Sequence, residues 1–417
     1  MISNNGSVQT AGNGRLNVNV YMGAVGTPAE NAIVKITSSD DPSGEMEQLV
    51  TNSSGRTEVI TLPTPPTEFS MDPEQEQPFR RYNIDVLLDG FKETIINGVQ
   101  LFPDTTAIQE VRLEPITTSG IQQQEITIPP PVLWGDFPGK IPEAPVKPLP
   151  PPLNYIVLPN PVVPEFIIVH DGAPSDASAA NYWVPFKDYI KNVASCEVYS
   201  NWPTETIRAN ILAILSFTLN RVYTEWYRSR GYEFTITSST AYDHAFSYGR
   251  NIFQEISFIV DEIFTTFITK PDIKQPLLTQ YCDGQNVTCP GWMTQWGSKS
   301  LGDQGYNAVD ILKSYYGSEI YLMQAERVEG VPSSFPGEPL QMGSTGQSVR
   351  TIQEQLNAIS NNYPAIGKLA VDGIYGNGTR LSVETFQDIF NLPSSGIVDF
   401  GTWYRISQIF VAVTQIA

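Results

Sequence analysis

The sequence predicts a multidomain chain. An N-terminal all-β sandwich occupies residues 1–115, a Pro-rich linker 116–164, a central mixed α/β domain 165–335 and a C-terminal all-α three-helix bundle 336–417. Three observations predict this order. The first block alternates apolar and polar residues between turn clusters, as half-buried strands do. Many of the 33 prolines crowd into the next block. Beyond it, apolar residues recur at three- and four-residue spacing, as on helix faces.

In the first block, Leu16-Asn17-Val18-Asn19-Val20-Tyr21 alternates strictly, and Ala32–Ile36 and Tyr82–Leu88 do so nearly. Asp40-Asp41-Pro42-Ser43-Gly44 and Asn52-Ser53-Ser54-Gly55 supply turn chemistry between them. No catalytic constellation falls in this region. In the linker, Pro129-Pro130-Pro131 and Pro148-Leu149-Pro150-Pro151-Pro152 predict an extended chain that proteases can reach.

The central block opens with a strand expected at Phe166–His170. A helix over Val184–Val193 leads to Ser195-Cys196-Glu197-Val198-Tyr199-Ser200-Asn201-Trp202-Pro203-Thr204-Glu205. A long helix is expected from Pro203 to about Ser229, because Pro suits a first helical turn, Glu205 suits the positive end of the helix dipole, and Ile207, Ile211, Ile214 and Leu215 share a face. Glu197 is therefore expected on the segment entering this helix, facing a cleft. A strand at Phe234–Thr237 and helices at Gln254–Phe264 and Ala308–Tyr315 complete the block.

The run from Glu197 to Asn210 resembles the signature of the stage II sporulation protein D family, in which Glu-Met-x-x-x-Trp-Pro-x-Glu precedes a helix. Glu197, Trp202, Pro203, Glu205 and Ala209 match in register, with Arg208 and Asn210 as near-substitutes. Ser239–Gly249 is similar to the family's Thr-x-Asp-Gln-x-Tyr-x-Gly segment, with His244 in place of Gln, and Tyr281-Cys282-Asp283-Gly284 through Thr288-Cys289 to its Cys-Asp…His-Cys segment. The family's Arg falls at Leu215 and its His at Thr288, which marks a divergent branch. The resemblance implies a peptidoglycan lytic transglycosylase with Glu197 as catalytic acid. It implies substrate contacts from Tyr199, Trp202, Arg208, Asp243 and Tyr248.

Cys282 and Cys289 have three readings: zinc ligands, with His244 as a third, as the family's Cys-Cys-His sites imply; a disulfide; or free thiols. A tetrahedral zinc needs more ligands than the two cysteines supply. Cys196 reads as a packing residue.

The last block carries Gly343-x-x-Gly346-x-x-Val349-x-x-Ile352-Gln353-x-x-Leu356-Asn357, then Asp372-Gly373-Ile374-Tyr375-Gly376, Phe386-Gln387 and Thr402-Trp403. It is similar to the peptidoglycan-binding type 1 domain. Most of these positions read as core, so they specify fold rather than ligand contacts.

The order of blocks, with a carboxypeptidase-regulatory-like or transthyretin-like β region first, resembles the clostridial spore cortex-lytic enzymes over essentially the whole chain. This implies a zymogen that cuts cortex peptidoglycan at germination, at the cortex or the coat–cortex boundary. Its activator would be a subtilisin-like germination protease, with a cleavage window from Ser119–Gln124 to Asn154–Val157. The sandwich would cover the Glu197 cleft or hold the core in a closed form.

Composition constrains the alternatives. A formal net charge of −19 leaves no basic patch for nucleic acid. No apolar run is long enough to span a bilayer, and the N-terminus shows no recognisable secretory signal. An N-acetylmuramoyl-alanine amidase would need a fuller zinc ligand set than His170 and His244 offer. The remaining alternative is a non-catalytic peptidoglycan-binding protein.

Overall fold

The computed structural model describes residues 12–23, 27–44, 46–116, 123–149 and 160–414. Its N-terminal region is built on Gly12–Met22. This strand pairs antiparallel with Thr27–Pro28 and Ile60–Thr64, and parallel with Thr106–Leu113 from Arg15–Thr106 to Met22–Leu113. A second sheet runs Glu47–Val50, Ile33–Ser38, Arg80–Leu87, Glu93–Leu101 and Gln123–Thr127. Val18, Val20, Val34, Ile84 and Val86 are fully buried, as their alternation requires. Two features go beyond the expected layout. Gln123–Thr127, expected in the linker, is a parallel strand on Glu93–Leu101. Ile252–Phe253, from the central block, pairs with Ile108 and Ala107 and completes the first sheet.

The central block contains helices α1 (Phe186–Glu197), α2 (Thr204–Tyr223), α3 (Gln254–Ile263), α4 (Gln295–Asp303) and α5 (Ala308–Tyr316). A small sheet of Phe166–His170, Asn181–Pro185 and Ile236–Thr237 flanks them. Helix α2 is buried nearly all round, including Ile207, Ile211, Leu212, Ile214, Leu215 and Phe217, so it is the block's central helix. It ends six residues before the expected Ser229 because Glu225 turns into the left-handed region, φ 47°. Glu205 does more than complement its own helix: its carboxylate accepts the Ala308 N–H at 2.8 Å and so caps α5.

The N-terminal region is anchored on the central one. Trp202 Nε1 donates to the Ser70 carbonyl at 2.8 Å and Asn201 Nδ2 to Ser70 Oγ at 2.6 Å. Phe102 packs between Tyr199 and Phe253, with ring centroids 5.0 and 5.4 Å away.

The C-terminal region comprises α6 (Gln347–Ile359), α7 (Asn377–Ile389) and α8 (Phe400–Thr414). Val349, Ile352, Leu356, Val383, Phe386, Trp403 and Ile406 fill its core. The Asp372-Gly373 turn needs its glycine: φ is +74°, and a Cβ there would meet the Arg350 side chain at 3.0 Å. Gln353 holds this turn by accepting the Gly373 N–H at 2.9 Å. Gln387 does the same for the loop before α8, accepting from Ser395 N and Gly396 N at 3.0 and 2.9 Å. The region seats on both others. Phe264, just past α3, packs on Phe400 and Tyr404, and Arg56 Nη2 donates to Asn391 Oδ1 at 2.7 Å. Among the described residues, no helix is long and apolar enough to cross a membrane.

Candidate active site

Glu197 is the last residue of α1, rather than part of the segment entering α2, and Val198 leaves the helix with extended backbone angles. The carboxyl is 2% exposed. The Ala245 N–H donates to its Oε1 at 3.0 Å, and Gln295 Nε2 donates to its Oε2 at 3.1 Å and to its main-chain carbonyl at 2.8 Å. The Tyr281 hydroxyl is buried in the same pocket. It makes no hydrogen bond of good geometry, yet lies close enough to the carboxylate to help hold its charge. Burial raises the Glu197 pKa above the usual carboxylate range. The Lys140 charge, the Ala245 N–H, the Gln295 amide and Tyr281 each pull it back only in part. A carboxyl held by two directed donors and biased toward its protonated form suits proton donation.

The segment expected as an extended, protease-accessible Pro-rich linker closes this pocket. Pro131 to Lys147 runs across the central block as a strap. Val132 N donates to the Cys196 carbonyl at 2.9 Å and Ile141 N to the Ala241 carbonyl at 2.7 Å. Gln280 is read in both directions, accepting from Glu143 N at 2.8 Å and donating to Ile141 O at 2.7 Å. Gln275 does likewise with Lys147, at 2.9 Å each way. Glu143 takes the Arg221 guanidinium at 2.6 and 3.1 Å and the Lys147 ammonium at 2.6 Å. Val132, Gly135, Phe137, Pro138 and Lys140 line the pocket opposite Glu197. The space left is about 30 Å³, room for a water but not a sugar ring. The expected cleavage window falls partly outside the described residues: 119–122 and 154–157 are not among them.

The other expected site residues separate from Glu197 by role. Tyr199 is 1% exposed and Trp202 4%, and they pack on each other and on Trp296, so both are core rather than sugar platforms. Asp243 is fully buried and accepts from Arg221 Nε, Tyr227 Oη and Thr237 Oγ1, each at 2.7 Å. Those bonds leave its carboxylate no role toward substrate; with Arg221 it forms a structural ion pair. Arg208 lies on the outer face of α2, paired with Glu262 at 2.8 Å and Glu205 at 3.5 Å. Tyr248 is exposed and stacked on Tyr182 at 4.3 Å, beside the surface-exposed Trp183.

The expected metal set does not assemble. Cys282 and Cys289 form a disulfide, with Cα atoms 5.8 Å apart. His244 is buried, its Nδ1 3.1 Å from the Tyr189 hydroxyl, and burial keeps its pKa far below the usual value and the ring neutral. Among the described residues, no group of three or more His, Cys, Asp or Glu side chains has the geometry of a metal site. Zinc is therefore not a part of this pocket that its residues support.

Sequence reasoning missed Gln295, Tyr281 and Lys140. A weak signal existed for the last: Lys140 and Lys147 are the two cations in an otherwise uncharged or acidic Pro-rich segment.

Residues 345–406 match the family model described as a putative peptidoglycan binding domain. The zinc D-Ala-D-Ala carboxypeptidase of Streptomyces albus G is 35% identical over 71 residues, 17% of this chain and 26% of that protein. The chain thus spans about a quarter of the length of that curated relative. Among solved structures, the SleB N-terminal domain is 29% identical over 18% of this chain and 93% of its own, with a TM-score of 0.16. The Klebsiella pneumoniae 5-hydroxyisourate hydrolase is 18% identical over 25% of this chain and 92% of its own, with a TM-score of 0.17.

Proposed function

We propose that the protein is a peptidoglycan lytic transglycosylase held closed by its own strap. The observation that carries this reading is the buried, donor-held Glu197 carboxyl with its raised pKa, in a chain whose C-terminal region matches a peptidoglycan-binding domain. Protonated Glu197 gives its proton to the oxygen between N-acetylmuramic acid and N-acetylglucosamine, and the C1–O bond breaks. The resulting carboxylate takes the proton from the muramoyl C6 hydroxyl as that oxygen bonds to C1. The 1,6-anhydro ring closes, no water is consumed and Glu197 is again protonated.

The strap supports the zymogen part of the reading. It fills the pocket before any glycan can enter, and it, rather than the N-terminal sheets, is the element over Glu197. A cut within it leaves two free ends, and a cut just after it frees its C-terminal end. A subtilisin-like protease acting at germination, and the spore cortex with its muramic-δ-lactam as substrate, remain the partners this proposal names.

The test is mass spectrometry of cortex-type peptidoglycan digested with the cut chain. Anhydro-muramoyl ends are the expected product. Free reducing muramic acid ends, or released stem peptides, would replace this reaction with hydrolysis or amidase chemistry. No product at all would leave a wall-binding protein.

A further inference from the structure

The strap places one charge in the pocket, and what surrounds it is specific. The Lys140 ammonium donates to the Asp243 main-chain carbonyl. It stands 5.1 Å from the centroid of the Tyr281 ring and 5.5 Å from that of Phe217. Glu197, which shares the pocket with it, is the leading negative charge acting on it. Arg221 is near, but its guanidinium is taken up by Asp243 and Glu143. A carboxylate, a carbonyl oxygen and two π faces around one point make a cation site.

A neutral glycan has no positive charge in its ground state. It acquires one at the anomeric carbon as the glycosidic bond breaks, in an oxocarbenium-like transition state. A site that attracts positive charge beside the proton donor therefore favours the transition state over the bound substrate. We propose that Glu197, Tyr281, Phe217 and the Asp243 carbonyl form a cation subsite that stabilises the anomeric centre during cleavage, and that Lys140 occupies it in the intact chain as a mimic of that charge. This rests on the transglycosylase reading for its catalytic half. It makes Tyr281 a catalytic residue and predicts alkylammonium compounds as ligands of the opened site.

The test needs no glycan. Lys140→Ala in the full chain removes three methylenes and the ammonium, a void that propylammonium fits and that neutral 1-propanol fits equally in shape. In this variant propylammonium should raise the Tm by on the order of 2 °C more than 1-propanol does at the same concentration. The native chain, whose site is filled, should show no such difference. The extra rise should disappear in Lys140→Ala/Glu197→Gln. Equal shifts from the two compounds, or a rise that survives loss of the Glu197 carboxylate, would overturn the proposal.

A second measurement keeps the strap intact. In Glu197→Gln, Lys140 stays buried beside a neutral amide, while its other charged neighbours, Asp243, Arg221 and Glu143, are unchanged. Its pKa, already lowered by burial, falls further, so the folded variant binds fewer protons than the unfolded chain. Relative to the native chain, this variant should gain stability as the pH rises above neutral toward the ordinary lysine range. Parallel stability curves would overturn the proposal. Failure to find anhydro-muramoyl products would change neither measurement, so the two readings fail separately.

Discussion

Gln295, the first residue of α4, clamps Glu197 at two points: one amide nitrogen donates to its main-chain carbonyl at 2.8 Å and to its carboxylate at 3.1 Å. The first bond fixes where α1 ends and the second fixes which way the carboxyl points. Because the second favours the charged form, removing it must raise the Glu197 pKa further. Gln295→Met keeps the length and deletes the donor. On the cut chain, kcat should fall about ten- to a hundredfold through lost alignment. The alkaline limb of the pH–rate profile should move to higher pH, since the acid stays protonated longer. A lower kcat with an unmoved limb would show that Gln295 acts on packing alone.

Glu197→Gln in the cut chain should abolish glycan cleavage while leaving fold and wall adsorption intact. The amide keeps the size of the side chain but cannot give up a proton as a carboxyl does. Muropeptide analysis and pelleting with insoluble peptidoglycan check the two halves. Cleavage by a folded variant at near-native rate would remove Glu197 as the acid.

Much of this was legible in the sequence, and the failures have physical causes. The strands through Val18, Val34 and Ile84 followed from alternation, and the C-terminal helices from apolar spacing and glycine turns. Strict alternation alone would put Asn17 and Asn19 on a solvent face, yet they are 1% and 2% exposed. The 51–57 loop covers that face, and Asn17 Nδ2 donates to the Thr57 carbonyl at 2.9 Å. The motif singled out Glu197 but not its place at the end of α1, because helix periodicity does not mark where a helix stops. Tyr199, Trp202 and the Asp243 carboxylate are taken up by packing and internal bonds, because a motif records which residues are needed, not whether packing or substrate needs them. The strap was invisible because its hold on the core comes from main-chain groups, the Gln275 and Gln280 side chains and the Glu143–Arg221 ion pair. None of these leaves a periodic trace.

Cutting the chain between 142 and 160 should not by itself release the N-terminal piece. Ile252–Phe253 stays paired with Ile108 and Ala107, Trp202 stays bonded to Ser70, and Phe102 stays buried between Tyr199 and Phe253. The two pieces should co-elute on size exclusion at micromolar concentration. They should separate only at low concentration or in mild denaturant. Immediate separation after the cut would mean that the shared sheet contributes little.

Removing residues from Gly343 onward should weaken adsorption to cortex fragments, because the peptidoglycan-binding match lies wholly within them. It should also lower the Tm, since Phe264 loses its packing on Phe400 and Tyr404. Equal pelleting of the full-length and shortened chains would argue against a targeting role. An unchanged Tm would argue against the seat on α3.

Asp261 offers a pH test of the central block. It accepts from Lys187 at 2.9 Å and Lys191 at 2.7 Å, with all three side chains less than a tenth exposed. Burial alone would raise its pKa, but the two ammonium groups outweigh burial and depress it strongly. Burial also lowers the Lys187 pKa, to about 8, against the pull of Asp261. Asp261→Asn leaves two enclosed cations without a counter-charge and should cost about 3–5 kcal/mol at neutral pH. A carboxyl with a depressed folded pKa contributes stability above its unfolded value near 4, and that contribution is lost as pH falls toward the folded value. Native stability should therefore decline below about pH 4 at this site while that of Asp261→Asn does not, and the gap between them should narrow. Denaturant melts at pH 7 and pH 3 measure it; a gap of constant size would mean that the lysines are not held by this charge.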